Sequence, residues 1–212
     1  MPFRALRRLT ALAAVLATSA GLLAVQAAPA AAGVLVKSAI GCTTPPTSQP
    51  FARWGDSALY SLVANGGLES GSTDWTLSKA SVVTGNESYY VRSAKDSKSL
   101  SLPAGSKGTT RAYCVGLSKP SMRFFSRSAN TGLLSSLRVD VLFETSLGLQ
   151  LSLPIGTISP HASWAPSPKL LIVANLLPLL PGQQTPVAFR FVPQGTGSWW
   201  IDDVYVDPHR SS

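Results

Sequence analysis

The most restrictive feature of this sequence is a period of two. Leu137, Val139, Val141 and Phe143 alternate with Arg138, Asp140 and Leu142, and Val187, Phe189 and Phe191 alternate with Ala188, Arg190 and Val192. Side chains on an extended chain point alternately to opposite faces, so each run offers one apolar face to a core and leaves the other mostly wet. No segment shows the 3.6-residue apolar stripe of an amphipathic helix. Short runs of this kind recur near 60–64, 75–83, 88–92, 99–102, 110–117, 122–127, 136–143, 149–153, 170–174, 187–192 and 198–206, with Gly, Pro, Asn and Ser between them. That rhythm predicts an all-β sandwich or barrel. The run from Leu170 to Leu180 is too apolar to alternate, and Pro178 and Pro181 argue against a long helix there.

Composition supports one folded domain. Of 212 residues 45% are hydrophobic and 13% charged, and the 17 glycines have no three-residue period, which excludes disordered and collagen-like chains. The first residues have another purpose. Arg4, Arg7 and Arg8 precede an apolar run from Ala11 to Val25 and then the small-residue stretch QAAPAAAG, the three-part pattern of a secretory signal peptide over residues 1–32, cut between Ala32 and Gly33. Cleavage leaves no membrane anchor. Removing this leader takes three of eighteen basic groups and no acid, leaving fifteen against ten, a net charge of +5 on the mature chain. The remaining basic residues are scattered without an aromatic-interleaved motif, which excludes nucleic acid as the expected partner.

Cys42 and Cys114 are the only cysteines, and in an exported chain they are expected to form a disulfide. The bridge would close a loop of about 70 residues, stabilise by roughly 4 kcal/mol in the chain-entropy model and pin a Pro/Thr-rich arm to the body. The expected layout is a signal peptide at 1–32, a disulfide-pinned arm at 33–58, a β-sandwich at 59–208 and a tail at 209–212. Catalytic patterns are missing from the sequence. The only histidines are His161 and His209, and there is no zinc-protease spacing, nucleophile elbow or phosphate-cradling loop. The carboxylates offer no spacing that singles out a glycosidase pair. A protein that binds without transforming its ligand is the expectation, with a carbohydrate-active enzyme on the same scaffold as the lesser reading.

Two stretches carry a family resemblance. Asn65-Gly66-Gly67-Leu68-Glu69-Ser70-Gly71, followed by Asp74-Trp75, and the closing Trp199-Trp200-Ile201-Asp202-Asp203-Val204-Tyr205-Val206 resemble the two ends of carbohydrate-binding modules with the galactose-binding-like jelly-roll fold. The resemblance implies a two-sheet jelly-roll β-sandwich in which the first and last strands are neighbours. It also implies a structural calcium near the chain ends, held by Glu69, Asp202 and Asp74, since hard carboxylate oxygens suit that ion. Alternation along the last strand would point Asp202 and Asp203 to opposite faces. The leader, Phe51-Ala52-Arg53-Trp54-Gly55-Asp56, Cys114 and Tyr205-Val206-Asp207-Pro208 also resemble a group of small secreted actinobacterial proteins, a likeness that names a lineage and no activity.

The ligand implied is a glycan. Sugar rings stack their C–H faces on Trp and Tyr while their hydroxyls need polar partners. Trp164, in the loop SPHASWAPSP, is the preferred exposed platform, with Trp200, Tyr90 and Trp75 as further candidates. Trp199 and Trp200 must face opposite sides of a strand, so one is core and the other faces outward. The expectation is therefore a secreted or cell-wall-associated bacterial protein that binds a cell-wall or environmental polysaccharide. The alternative is a structural or protein-interaction factor of the cell envelope that presents its loops to an envelope protein.

Overall fold

The computed structural model describes residues 46–115, 121–129, 134–144, 149–172 and 185–207. The signal peptide, Cys42, the run beyond Ile172 and the tail lie outside the described residues. Two antiparallel sheets face each other, as a jelly-roll sandwich requires. One sheet runs β10 (Ala165–Pro166), β7 (Ser121–Ser128), β13 (Trp199–Asp207), β4 (Lys98–Leu102), β3 (Ser81–Thr84), with β1 (Ser61–Leu62) on β13 and β11 (Leu170–Leu171) on β7. The other runs β2 (Trp75–Ser78), β5 (Lys107–Thr110), β12 (Thr185–Gln194), β8 (Ser136–Glu144), β9 (Gln150–Ile158), with β6 (Tyr113–Val115) on β12. Among the described residues no helix is long and apolar enough to cross a membrane.

The alternating runs build the core between the sheets. Leu137, Val139, Val141 and Phe143 of β8 and Val187, Phe189 and Phe191 of β12 are buried against Leu100, Leu102, Met122, Phe124, Trp199 and Ile201 from the facing sheet. Phe124 meets Phe191 edge-on across the gap, with centroids 5.0 Å apart. Each such side chain contributes about 1.5–3 kcal/mol by leaving water.

Three expected strands differ from the structure. The run 75–83 is cut at Lys79, whose φ of 53° turns the chain so that β2 joins one sheet and β3 the other. The run 110–117 is interrupted, with β5 ending at Thr110 and β6 starting at Tyr113. Residues 88–92 form turns, because the buried Glu87 carboxylate accepts the backbone N–H groups of Tyr89 and Val91 and also bonds that of Tyr90, bending the chain around itself.

The two motif-bearing ends are joined. β1 pairs β13 with Ser61 opposite Val206 and Leu62 opposite Tyr205. Past β1, the Val63 N–H donates to the Val204 carbonyl and the Val204 N–H to the Gly66 carbonyl. A Cβ on Gly66 would lie 2.7 Å from the Val204 carbonyl oxygen, and one on Gly67 would lie 2.8 Å from an Asp203 carboxylate oxygen, so this close approach needs both glycines. Asn65 organises the turn, its side-chain amide donating to the Gly71 and Thr73 carbonyls and its Oδ1 accepting from the Ser70 N–H.

The last strand departs from simple alternation. Its pairing with β7 shifts register between Asp202 and Tyr205, and Asp203 has a φ of 47°. This bulge turns both carboxylates toward the 87–96 loop, where both sense Glu87, instead of to opposite faces.

Candidate functional site

The outer face of the seven-stranded sheet carries Arg123, Phe125 and Arg127 from β7 and Trp200, Asp202 and Tyr205 from β13. Much of it is covered. Phe51, Tyr60, Phe125 and Tyr205 form a second buried cluster, with Trp54, Tyr89 and Trp164 packed against it. The segment before β1 is therefore held by aromatic burial, through Phe51 and the paired Ser48 and Tyr60 backbones. Asp56 locks the same corner, accepting from the Tyr60 hydroxyl at 2.6 Å and pairing with Arg123 at 2.8 Å. Burial opposes its charge, but these donors hold the Asp56 carboxyl below the usual range.

At one side of this face two predicted platforms converge. Trp164, from the Pro-rich loop, and Trp200, on β13, lie on either side of Arg127, whose guanidinium carbon is 5.5 Å from the first ring centroid and 4.2 Å from the second. All three are partly exposed. The Tyr89 hydroxyl donates to the Trp164 carbonyl at 2.8 Å, and the Tyr89 ring meets Trp54 edge-on. Arg53 completes the row, 5.3 Å from the Tyr89 centroid and 5.7 Å from that of Trp54. Two guanidinium groups are thus set among the aromatic rings from Trp54 to Trp200.

The other candidates fall elsewhere. Trp75 is a core residue, 8% exposed, and its indole N–H donates to the Asn65 carbonyl, so it offers no face to a ligand. Tyr90 is 49% exposed on the 87–96 loop at a φ of 50°. Trp199 lies wholly in the core while Trp200 faces outward. Neither Arg127 nor Arg53 stood out in the sequence, because the contact of Arg127 with Trp200 depends on a cross-strand register between residues far apart in the chain.

The three residues implied for calcium each have separate protein partners. Asp202 is fully buried, with its two oxygens taken by the Glu87 and Asp203 N–H groups. Glu69 accepts the Ser97 and Lys98 N–H groups, and Asp74 pairs with Arg111 at 3.0 Å. Glu69 and Asp74 line one open cavity of about 270 Å³ together with Asn65 and Arg92, but Asp202 does not reach it. Among the described residues no three His, Cys, Asp or Glu side chains converge as metal ligands. Asp203 is the carboxylate left without hydrogen-bond partners, and the cation beside it is the Arg92 guanidinium at 3.6 Å. Burial raises the carboxyl pKa of both Asp202 and Asp203; neighbouring carboxylates add to the rise, and Arg92 offsets part of it at Asp203.

The outer face of the six-stranded sheet is different. There the buried Asp140 takes Arg138 at 2.9 Å and Arg190 at 2.8 Å, and Arg190 also donates to the Ser152 hydroxyl. Thr76 and Thr109 continue the row, and the outward positions described on these strands carry no aromatic ring. Among the described residues the stacking platform lies on the seven-stranded side.

No protein-family model matches the chain. No curated protein matches it either. Among solved structures it is similar to carbohydrate-binding modules. One is the CBM22-1–GH10 part of Clostridium thermocellum endo-1,4-β-D-xylanase 10B complexed with xylohexaose, at 13% identity and a TM-score of 0.49, over 72% of this chain and 29% of that one. Others are TmCBM61 in complex with β-1,4-galactotriose, at 14% identity and 0.44 over 71% and 98% of the two chains, and a family 16 carbohydrate-binding module, at 11% and 0.43 over 69% and 99%. The chain thus spans under a third of the xylanase chain. These likenesses concern the outline of the fold and transfer no ligand or binding residue.

Proposed function

We propose that this chain is a secreted carbohydrate-binding protein that holds its ligand without transforming it. The observation that supports this reading is the convergence of Trp164 and Trp200 on one side of the seven-stranded sheet, partly exposed and flanking Arg127. Indole faces supply stacking for the C–H faces of sugars, and the guanidinium supplies planar donors. The motif resemblance at both chain ends agrees with it, and export would follow from the leader at 1–32. Calcium forms no part of the proposal, since the implied ligands are engaged elsewhere.

Affinity electrophoresis through gels containing soluble polysaccharides tests the reading. Retardation by at least one glycan, weakened about tenfold or more in Trp200→Ala and Trp164→Ala variants of unchanged circular dichroism, supports it. No retardation across neutral and acidic polysaccharides refutes it. The second reading, a protein-interaction factor of the cell envelope, rests on Leu149, Leu151 and Leu171, which are 59%, 44% and 59% exposed at β9 and β11.

A further inference from the structure

The chain distributes its charges by sign. All ten Asp and Glu residues fall among the described residues, none of them is fully exposed, and Glu87, Asp96, Asp140, Asp202, Asp203 and Asp207 are buried. Lys79, Lys95, Lys107, Lys169 and Arg53 are exposed. The potential presented to a partner is therefore positive beyond what the modest net charge conveys.

The arginines divide as sharply. Five of the seven described ones meet a carboxylate, namely Arg92, Arg111, Arg123, Arg138 and Arg190. Arg53 and Arg127 meet none among the described residues, and both lie over aromatic rings of the row described above. The Arg127 Nε is buried and has no acceptor. A guanidinium over an aromatic face uses its flat side for the ring and retains its in-plane N–H groups for a planar anion, which carboxylates match in geometry. A neutral sugar would leave that charge uncompensated at the centre of the platform.

We propose that the Trp164–Arg127–Trp200 platform, extended by Arg53, binds uronate-bearing polysaccharide, each indole taking a sugar face and each unpaired guanidinium a uronate carboxylate. This rests on the carbohydrate-binding reading and narrows its ligand to acidic glycans. Polyanionic nucleic acid shares the charge but not the pairing of one carboxylate with each stacked ring.

The test compares polygalacturonate with the same polymer after carboxyl reduction, alongside xylan, galactan, polyglutamate and a single-stranded oligonucleotide, by affinity electrophoresis and calorimetry of the mature protein. Polygalacturonate is expected to bind at least tenfold tighter than its reduced form. Arg127→Gln should weaken uronate binding about ten- to a hundredfold and binding to the reduced polymer several-fold less than that, while Arg127→Lys, with the charge but not the fork, restores only part. Equal binding of the native and reduced polymers, indifferent to Arg127→Gln, overturns this inference and leaves carbohydrate binding standing. Comparable binding of polyglutamate or the oligonucleotide overturns it as mere attraction of polyanions. Failure to bind any polysaccharide removes the carbohydrate reading itself, and the inference with it.

Discussion

Phe51→Ala tests whether the segment before β1 is part of the folded body. Phe51 has no exposed surface. Its ring centroid lies 5.1 Å from Tyr60, 5.4 Å from Phe125 and 5.8 Å from Tyr205, and the Arg123 guanidinium stands 4.4 Å above it. Truncating a buried Phe costs about 3–5 kcal/mol in lost transfer energy and residual cavity, and aromatic pairs of this kind each contribute about 0.5–1.5 kcal/mol beyond their area. The loss should therefore reach the upper half of that range, unless the segment can detach and let the sheet face rewet. Urea unfolding separates the two cases. A cooperative unit shows a lower midpoint at unchanged slope, whereas detachment caps the loss and opens the peptide bond after Arg53 to trypsin under native conditions. A loss below about 1 kcal/mol with no new cleavage at Arg53 would refute the argument that aromatic burial holds this segment.

Trp75→Ala should destabilise by about 3–5 kcal/mol, because it empties a core site and frees the Asn65 carbonyl, while Trp200→Ala should leave the urea midpoint nearly unchanged; equal effects would mean that the inward and outward positions of the two sheets are misassigned. Raised carboxyl pKa values at Asp202, Asp203, Glu87 and Asp96 contribute stability that is complete below the unfolded-state value of about 3.9–4.3 and is lost as pH rises through the folded values. The melting temperature should accordingly fall between pH 5 and pH 9, and Asp203→Asn should flatten the fall; a melting temperature that climbs over that window contradicts the burial argument. If Cys42 and Cys114 are bridged, mass spectrometry after alkylation should find no free thiol in the mature protein, and reduction should cost roughly 4 kcal/mol in urea unfolding.

The parts of the fold legible in the sequence were those governed by strict alternation. β8 and β12 lie close to their expected positions because Leu137 to Phe143 and Val187 to Phe191 each have a face that tolerates only a core. Where a side chain overrides the pattern, reading it fails. Ser88 to Arg92 has strand-like residues, but the Glu87 carboxylate collects the backbone donors that a neighbouring strand would need. Lys79 breaks a run whose apolar content continues on both sides, since Leu77 and Val82 serve the same core from different sheets. Asp202 and Asp203 escape the alternation rule through the bulge. Of the platform, the tryptophans were visible as residue types, whereas Arg127 was not. Its significance is that it lacks a carboxylate, and that depends on where every acid in the chain has gone.

That placement links the stability of the domain to its surface chemistry. Some carboxylates drawn inward are compensated by a guanidinium, as Asp140 is by Arg138 and Arg190, and others sit in a cluster where burial favours the protonated form, as with Asp202 and Asp203. The cluster weakens the fold as pH rises, yet every acid withdrawn from the surface also removes an internal partner that could neutralise Arg53 or Arg127. An anionic polymer binding the platform would have to displace few intramolecular ion pairs there, so its carboxylates would meet guanidinium groups already held beside aromatic rings. Preorganisation of this kind lowers the ordering cost of binding for an acidic ligand and gives a neutral one much less. The same arrangement predicts that affinity and stability respond to different parts of the pH range. As pH falls from about 9 to about 5 the buried cluster gains its protons and the fold grows firmer while uronate affinity stays level, and binding should fall only when the ligand's own carboxylates are protonated at lower pH.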